Sequence, residues 1–213
     1  MLELFLKELK IVFNEKYQFP KSQKKTHGFI ENYFYDVEHG FFHSFCCCYI
    51  SYIINDKIDE NLVLSLFLHD FLKCNGYKQE FHDKELVNYY PNLLPETYIH
   101  SNPPKHYEDK LVIFCDRIEL RRYPDYKDWV DERYYKMYDR FDSNKKKHVD
   151  FFYNNTRILL ENAYNEFIVL LKNKTNTKEN IDKIIVVNKN IESTLLFDFF
   201  SFITTFKISI SRS

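Results

Sequence analysis

The sequence predicts an all-α protein, and three observations carry that expectation. Apolar residues recur at three- and four-residue spacing, beginning with Leu2, Phe5, Leu6, Leu9 and Val12, which is the period of a helix with one buried face. No strand alternation and no glycine-rich hairpin stands out before residue 180. Glycine is nearly absent: 213 residues hold three (Gly28, Gly40, Gly76), with six prolines and a single alanine, Ala163. Apolar residues make up 45% and aromatics 18%, enough to build a real core and to offset the entropy of ordering the chain.

The elements follow in order. The Leu2 pattern spans a helix to about Phe13, interrupted by the polar stretch around Pro20. A second helix is expected from about Gly40 to Ile54. A third starts with Asn61 as its cap and runs to about Lys73, where Asn75-Gly76 supplies a stop signal. A short helix over His82 to Tyr90 ends at Pro91, and four prolines between Pro91 and Lys105 make that stretch mostly loop. Helices are then expected over Tyr107–Arg122, Tyr126–Phe141 and Lys147–Leu171. The domain so outlined covers residues 1–172. A polar linker, 173–180, separates it from an extension, 181–213, with a β-branched run at Ile184 to Val187 and a Phe-rich run at Leu195 to Phe206. That extension reads first as a segment packing on the domain, whether as a strand pair or a helix. A partner-binding or membrane-surface role stays open for it.

Charge and cysteine narrow the functional classes. Thirty basic and 31 acidic residues leave a net charge of −1, which argues against an extended nucleic-acid surface. Five cysteines, three of them consecutive (Cys46, Cys47, Cys48), match no zinc ribbon and no disulfide framework. They read as reduced, buried residues of a cytoplasmic protein. The start lacks a basic region and a cleavage site, and no apolar run is long enough for a membrane span. Phosphate-binding loops of the Walker or dinucleotide type need glycines that this chain lacks.

Four side chains stand out together: His43, the pair His69-Asp70, and Asp116. His69-Asp70 ends the apolar run Leu62 to Leu68, and Asp116 follows Leu111-Val112-Ile113-Phe114-Cys115. Ionisable groups in such surroundings are costly unless paired or metal-bound. Imidazole nitrogen with carboxylate oxygen is a donor set suited to Zn, Mn or Fe.

In order and in local context these residues resemble the HD-domain superfamily of metal-dependent phosphohydrolases. His43-Ser44 followed by an apolar run is similar to the family's first motif. His69-Asp70-Phe71-Leu72-Lys73 resembles its His-Asp-x-x-Lys signature, and Cys115-Asp116-Arg117-Ile118 its last. The resemblance covers about residues 35–170. It implies an HD-type helical bundle in which His43, His69, Asp70 and Asp116 converge from three helices on a divalent metal (Mn, Zn, Fe, Co or Ni, with Mg also allowed). That metal would activate a water against a phosphate ester or anhydride, a small nucleotide first among them, and Asp70 would ligate it or orient the water. His39-Gly40-Phe41-Phe42-His43 is similar to the His-Asn-x-x-His segment of cyclic nucleotide phosphodiesterases, with Gly40 in place of Asn. By that likeness His39 is a candidate general acid, the alternative being a surface histidine.

Further residues complete the expected site. Lys73 would hold a substrate phosphate or neutralise Asp70. Arg117 and Arg121, one turn apart and near Arg122, would clamp phosphate, or else form a solvated helix end beside Glu119 and Asp125. His82 and His100 are candidates for a second metal, so that one or two ions per chain are expected. Tyr123, Tyr126, Tyr134, Tyr135 and Tyr138 could stack a base. Lys73 and Cys74 stand where hydrolases of guanosine tetraphosphate carry paired acids, which disfavours that branch. Two alternative functions remain: a di-iron oxygenase using His82 and His100, and a non-catalytic regulatory or binding module. A homo-oligomer stays open.

Overall fold

The computed structural model describes residues 1–15, 32–33, 36, 38–78, 106–119, 138–158 and 162. Among them every regular element is helical, as expected. The chain divides into two compact units, Gln23–Asn154 and a second made of Met1–Ser22 with Asn155–Ser213. In the second unit, α1 (Leu2–Glu15) buries Leu2, Phe5, Leu6, Leu9 and Val12, the stripe read from the sequence. The expected helix at 82–90, the linker 173–180 and the extension 181–213 lie outside the described residues.

The first unit is built around α2 (Phe41–Asn55), whose residues from Phe41 to Ile54 are all buried. A helix apolar on every side must be enclosed on every side. Packed against it are α3 (Glu60–Leu68), α4 (Tyr107–Glu119) and α5 (Ser143–Phe151). The connection from α2 to α3 is short, so the two run antiparallel. Phe41, at the start of α2, meets Phe67, at the end of α3, with ring centroids 5.7 Å apart. In α4, Tyr107 at its start donates to Asn55 at the end of α2 (3.4 Å), so α4 is antiparallel to α2 as well. The first turn of α2 and the last turns of α3 and α4 therefore meet at one end of the bundle, where the four singled-out residues reside.

Two helix starts differ from expectation, and capping chemistry explains both. The cap of α3 is Asp59, two residues before Asn61; its carboxylate accepts from the backbone N–H groups of Asn61 and Leu62 (3.0 and 3.2 Å). Asp142 caps α5 in the same way, through Asn144 and Lys145 (2.9 Å each), so that helix starts four residues before Lys147. A carboxylate at this position satisfies orphan amides and faces the positive end of the helix dipole. α5 then loosens into a π-helical turn over Phe152–Thr156.

The third helix also stops early. Instead of continuing to Lys73, α3 ends at Leu68, and the chain passes through a turn into a 3-10 turn over Lys73–Asn75. The Leu66 carbonyl accepts from the His69 ring (2.7 Å). Beyond it the backbone tightens to three-residue steps, Phe71 to Leu68 and Asn75 to Leu72, each at 3.0 Å. A side chain that competes for a helical carbonyl weakens the next turn of the ladder. Gly76 closes the segment at φ +79°, the left-handed conformation that glycine adopts without penalty.

Candidate metal centre

His43 lies in the first turn of α2, His69 and Asp70 just past α3, and Asp116 in the last turn of α4. All four are buried. One donor atom from each lies within 4.8 Å of the other three. The two imidazole Nε2 atoms are 3.1 Å apart. Asp116 Oδ1 is 3.2 Å from His43 Nε2 and 3.8 Å from His69 Nε2. Asp70 Oδ2 is 3.8 and 3.7 Å from the same two nitrogens. A metal held about 2.0–2.2 Å from each donor sets neighbouring donors roughly 3.0–3.6 Å apart, close to these edges.

The protonation of the two rings decides what fits between them. His69 Nδ1 must donate, because its partner is the Leu66 carbonyl. Nδ1 of His43 donates to the Glu119 carboxylate. Each ring is thereby held with Nε2 as the atom that faces the other, the arrangement that orients metal-binding histidines. Two nitrogen lone pairs at 3.1 Å repel unless a cation lies between them. That cation is a proton on one ring or a metal ion. The neighbourhood favours positive charge: Asp70, Asp116 and Glu119 are all buried here, and buried carboxylates need compensating charge.

The titration behaviour follows. Burial alone would push His43 down, but the carboxylates of Glu119 and Asp116 outweigh it and hold the ring up at about 10. Asp116 is held well below the usual carboxylate range; burial opposes this, and hydrogen bonds and charge from His43 and His69 prevail. A buried cluster of two imidazoles and two carboxylates, with Cys47 beside it, thus has the donor chemistry to hold a metal ion.

Around this core the other expected residues fall differently. His39 is half-buried in the turn before α2, with its ring 6.4 Å from that of His43. Burial, aided by Lys73 and His43 and opposed by Asp70 and Asp36, lowers it below 6.5. The ammonium of Lys73 lies 3.5 Å from Asp70 Oδ2 on a side chain that is 31% exposed, so of its two expected roles the contact with Asp70 is the one seen. Arg117 is half-buried beside Asp116 on α4. His82, His100, Arg121, Arg122, Tyr123, Tyr126, Tyr134 and Tyr135 lie outside the described residues.

Two expectations need correction. Tyr138 is not free to stack a base: its ring is buried on Phe114, 6.4 Å between centroids, and its hydroxyl donates to the Asp150 carboxylate at 2.9 Å. Glu119 is not part of a solvated helix end; it is wholly buried against His43. The signal for it was present, since Glu119 follows Asp116 by three residues and shares its helix face. Cys47 likewise reads in the sequence only as a small buried residue, although it follows His43 by one turn.

Comparisons with protein-family models, with curated proteins and with solved structures find no match.

Proposed function

We propose that the chain is a metal-dependent phosphohydrolase of HD type, acting on a phosphate ester or anhydride, with a small nucleotide as the leading substrate. The observation that carries this reading is the pair of imidazole Nε2 atoms 3.1 Å apart, each aimed by its own Nδ1 partner, with Asp70 and Asp116 beside them. His43, His69, Asp70 and Asp116 would hold a divalent ion. When bound, that ion supplies an acidified water and polarises a phosphoryl oxygen. Asp70, adjacent in sequence to His69, would ligate or orient the water. Lys73, at once paired with Asp70 and partly exposed, would meet an incoming phosphate, and Arg117, next to Asp116 in sequence and half-buried, would assist it. His39 is neutral near pH 7, so it would donate a proton to the leaving oxygen only once the phosphate's negative charge raises its affinity for one.

The test is direct. The purified chain loaded with Mn²⁺ or Co²⁺ is expected to release phosphate or alcohol from a panel of phosphomonoesters, phosphodiesters and nucleotides. Asp116→Ala is expected to lose both the ion and the turnover. Activity that survives Asp116→Ala sinks the assignment. An ion-loaded chain that turns over none of the panel leaves the regulatory or binding-module reading in its place.

A further inference from the structure

The second side chain that α2 sends towards the centre is Cys47. It follows His43 by four residues and so shares its helix face. Its thiol is wholly buried. Cys47 Sγ lies beside the His43 ring, 3.7 Å from Nε2 and 4.0 Å from Nδ1, so rotation about its Cα–Cβ bond is what would carry it to the lone-pair side of Nε2. Donor atoms of His43, Cys47 and His69 lie within 4.8 Å of one another. A tetrahedral ion about 2.05 Å from an imidazole nitrogen and about 2.3 Å from a thiolate sets those two donors roughly 3.6 Å apart. The neighbouring cysteine points elsewhere: Cys48 Sγ faces the Val63 carbonyl at 3.9 Å. Of the consecutive three, Cys47 is the one whose sulfur the structure groups with the donor atoms of His43 and His69. The two imidazoles are thus an edge shared by two donor sets, carboxylate oxygens in one and a sulfur in the other.

We propose that Cys47 is a sulfur ligand of this centre, so that a zinc-class ion (Zn²⁺ or Co²⁺) is held through His43 Nε2, His69 Nε2 and Cys47 Sγ, with oxygen donors at the remaining positions. This rests on the reading of the His and Asp cluster as a metal centre. On binding, the S–H bond breaks, a metal–sulfur bond forms, and the proton leaves to solvent. A thiolate selects borderline and soft ions over hard ones, for which carboxylate and water suffice. The centre therefore prefers Zn²⁺ and Co²⁺ to Mg²⁺ and Mn²⁺, and that preference resides in one side chain.

Co²⁺ titration of the reduced, full-length chain tests this by absorption. The expected result is a near-ultraviolet thiolate-to-cobalt charge-transfer band that saturates at one equivalent, together with the visible bands of the ion. Cys47→Ser is expected to keep the visible bands and lose the near-ultraviolet one, whereas Cys74→Ser keeps both. Visible bands without the near-ultraviolet band in the unsubstituted chain overturn the sulfur ligand and leave the four-residue centre standing. A charge-transfer band that persists in Cys47→Ser, or vanishes in Cys74→Ser, assigns the sulfur elsewhere and also overturns the proposal. No cobalt bands at all overturn both readings. The spectrum of the unsubstituted chain decides the presence of sulfur even if Cys47→Ser does not fold.

Discussion

The Glu119 carboxylate accepts a hydrogen bond from His43 Nδ1, joining the last residue of α4 to the first turn of α2 with both side chains wholly buried. This contact holds the His43 ring in the tautomer that presents Nε2 to His69. Outer partners of this kind raise the basicity of a ligand imidazole and fix its rotation. Glu119→Ala is expected to weaken metal binding about 10–100-fold, read by competition with a chromogenic chelator. Glu119→Gln, which keeps an acceptor for the ring and loses the charge, is expected to fall between Glu119→Ala and the unsubstituted chain. Equal affinity in all three proteins would show that Glu119 only fills space.

Much of this arrangement is legible in the sequence, for specific reasons. Helices that bury a stripe, such as α1, or that are apolar throughout, such as α2, announce themselves by period and composition. The four core residues were visible because polar groups ended or interrupted apolar runs. Glu119 was not, because its neighbours Arg117, Arg121 and Arg122 make the end of α4 read as a solvated surface. The early end of α3 depends on a ring-to-carbonyl contact at Leu66, which no local propensity reports. The cap of α3 falls at Asp59 rather than Asn61, and α5 starts at Ser143 behind the Asp142 cap rather than at Lys147, because several cap-competent residues stand close together at each site and only the chain's path selects one. The alternative of a di-iron site rests on His82 and His100, outside the described residues.

The metal-free chain is expected to show a pH dependence opposite to that of the loaded one. His43 is raised from 6.5 to about 10, so its contribution to stability is complete below 6.5 and is lost as pH rises through about 10. Asp116 is depressed from 3.8, so its contribution is complete above 3.8 and is lost on acidification through its lowered value. Both are complete between those limits, and the metal-free chain is expected to be most stable in mildly acidic solution. An ion must displace the His43 proton, so metal affinity is expected to rise with pH over the range in which metal-free stability falls. Chemical denaturation of both forms from pH 5 to pH 10 measures this. A metal-free chain that gains stability steadily from pH 6.5 to pH 10 contradicts it.

Asp56 closes α2 in the left-handed conformation, φ 57° and ψ 20°, with its N–H bonded to the Tyr52 carbonyl. A side chain there costs about 1 kcal/mol that glycine does not incur. The Asp56 carboxylate is exposed and reaches Lys145 only at 3.8 Å, and an exposed pair of this kind contributes little. Asp56→Gly is therefore expected to stabilise the chain by about 0.5–1 kcal/mol, visible as a higher midpoint in urea. A lowered midpoint would mean that the Lys145 pair outweighs the backbone strain.

Gly40 presents the reverse case, and it bears on the site. It precedes α2 by one residue, between His39 and the turn that carries His43, and its N–H bonds to the Asp36 carbonyl at 3.2 Å. Its backbone angles are ordinary, φ −85°, so conformational freedom does not explain the glycine. Space does: a Cβ at Gly40 would collide with the carbonyl oxygens of Tyr33 and Asp36. Those atoms belong to the backbone and cannot rotate away, so the entry to α2 would have to shift. Gly40→Ala is expected to destabilise the chain by about 1–3 kcal/mol. The displaced first turn of α2 would also move His43, so metal affinity is expected to fall along with stability. Alanine at Gly76 gives the matching control: among the described residues nothing lies within 4 Å of a Cβ there, and the penalty comes from φ +79°. Gly76→Ala is expected to lower stability by about 1 kcal/mol without changing metal affinity. If both variants lose affinity in proportion to stability, the close approach at Gly40 has no particular hold on His43.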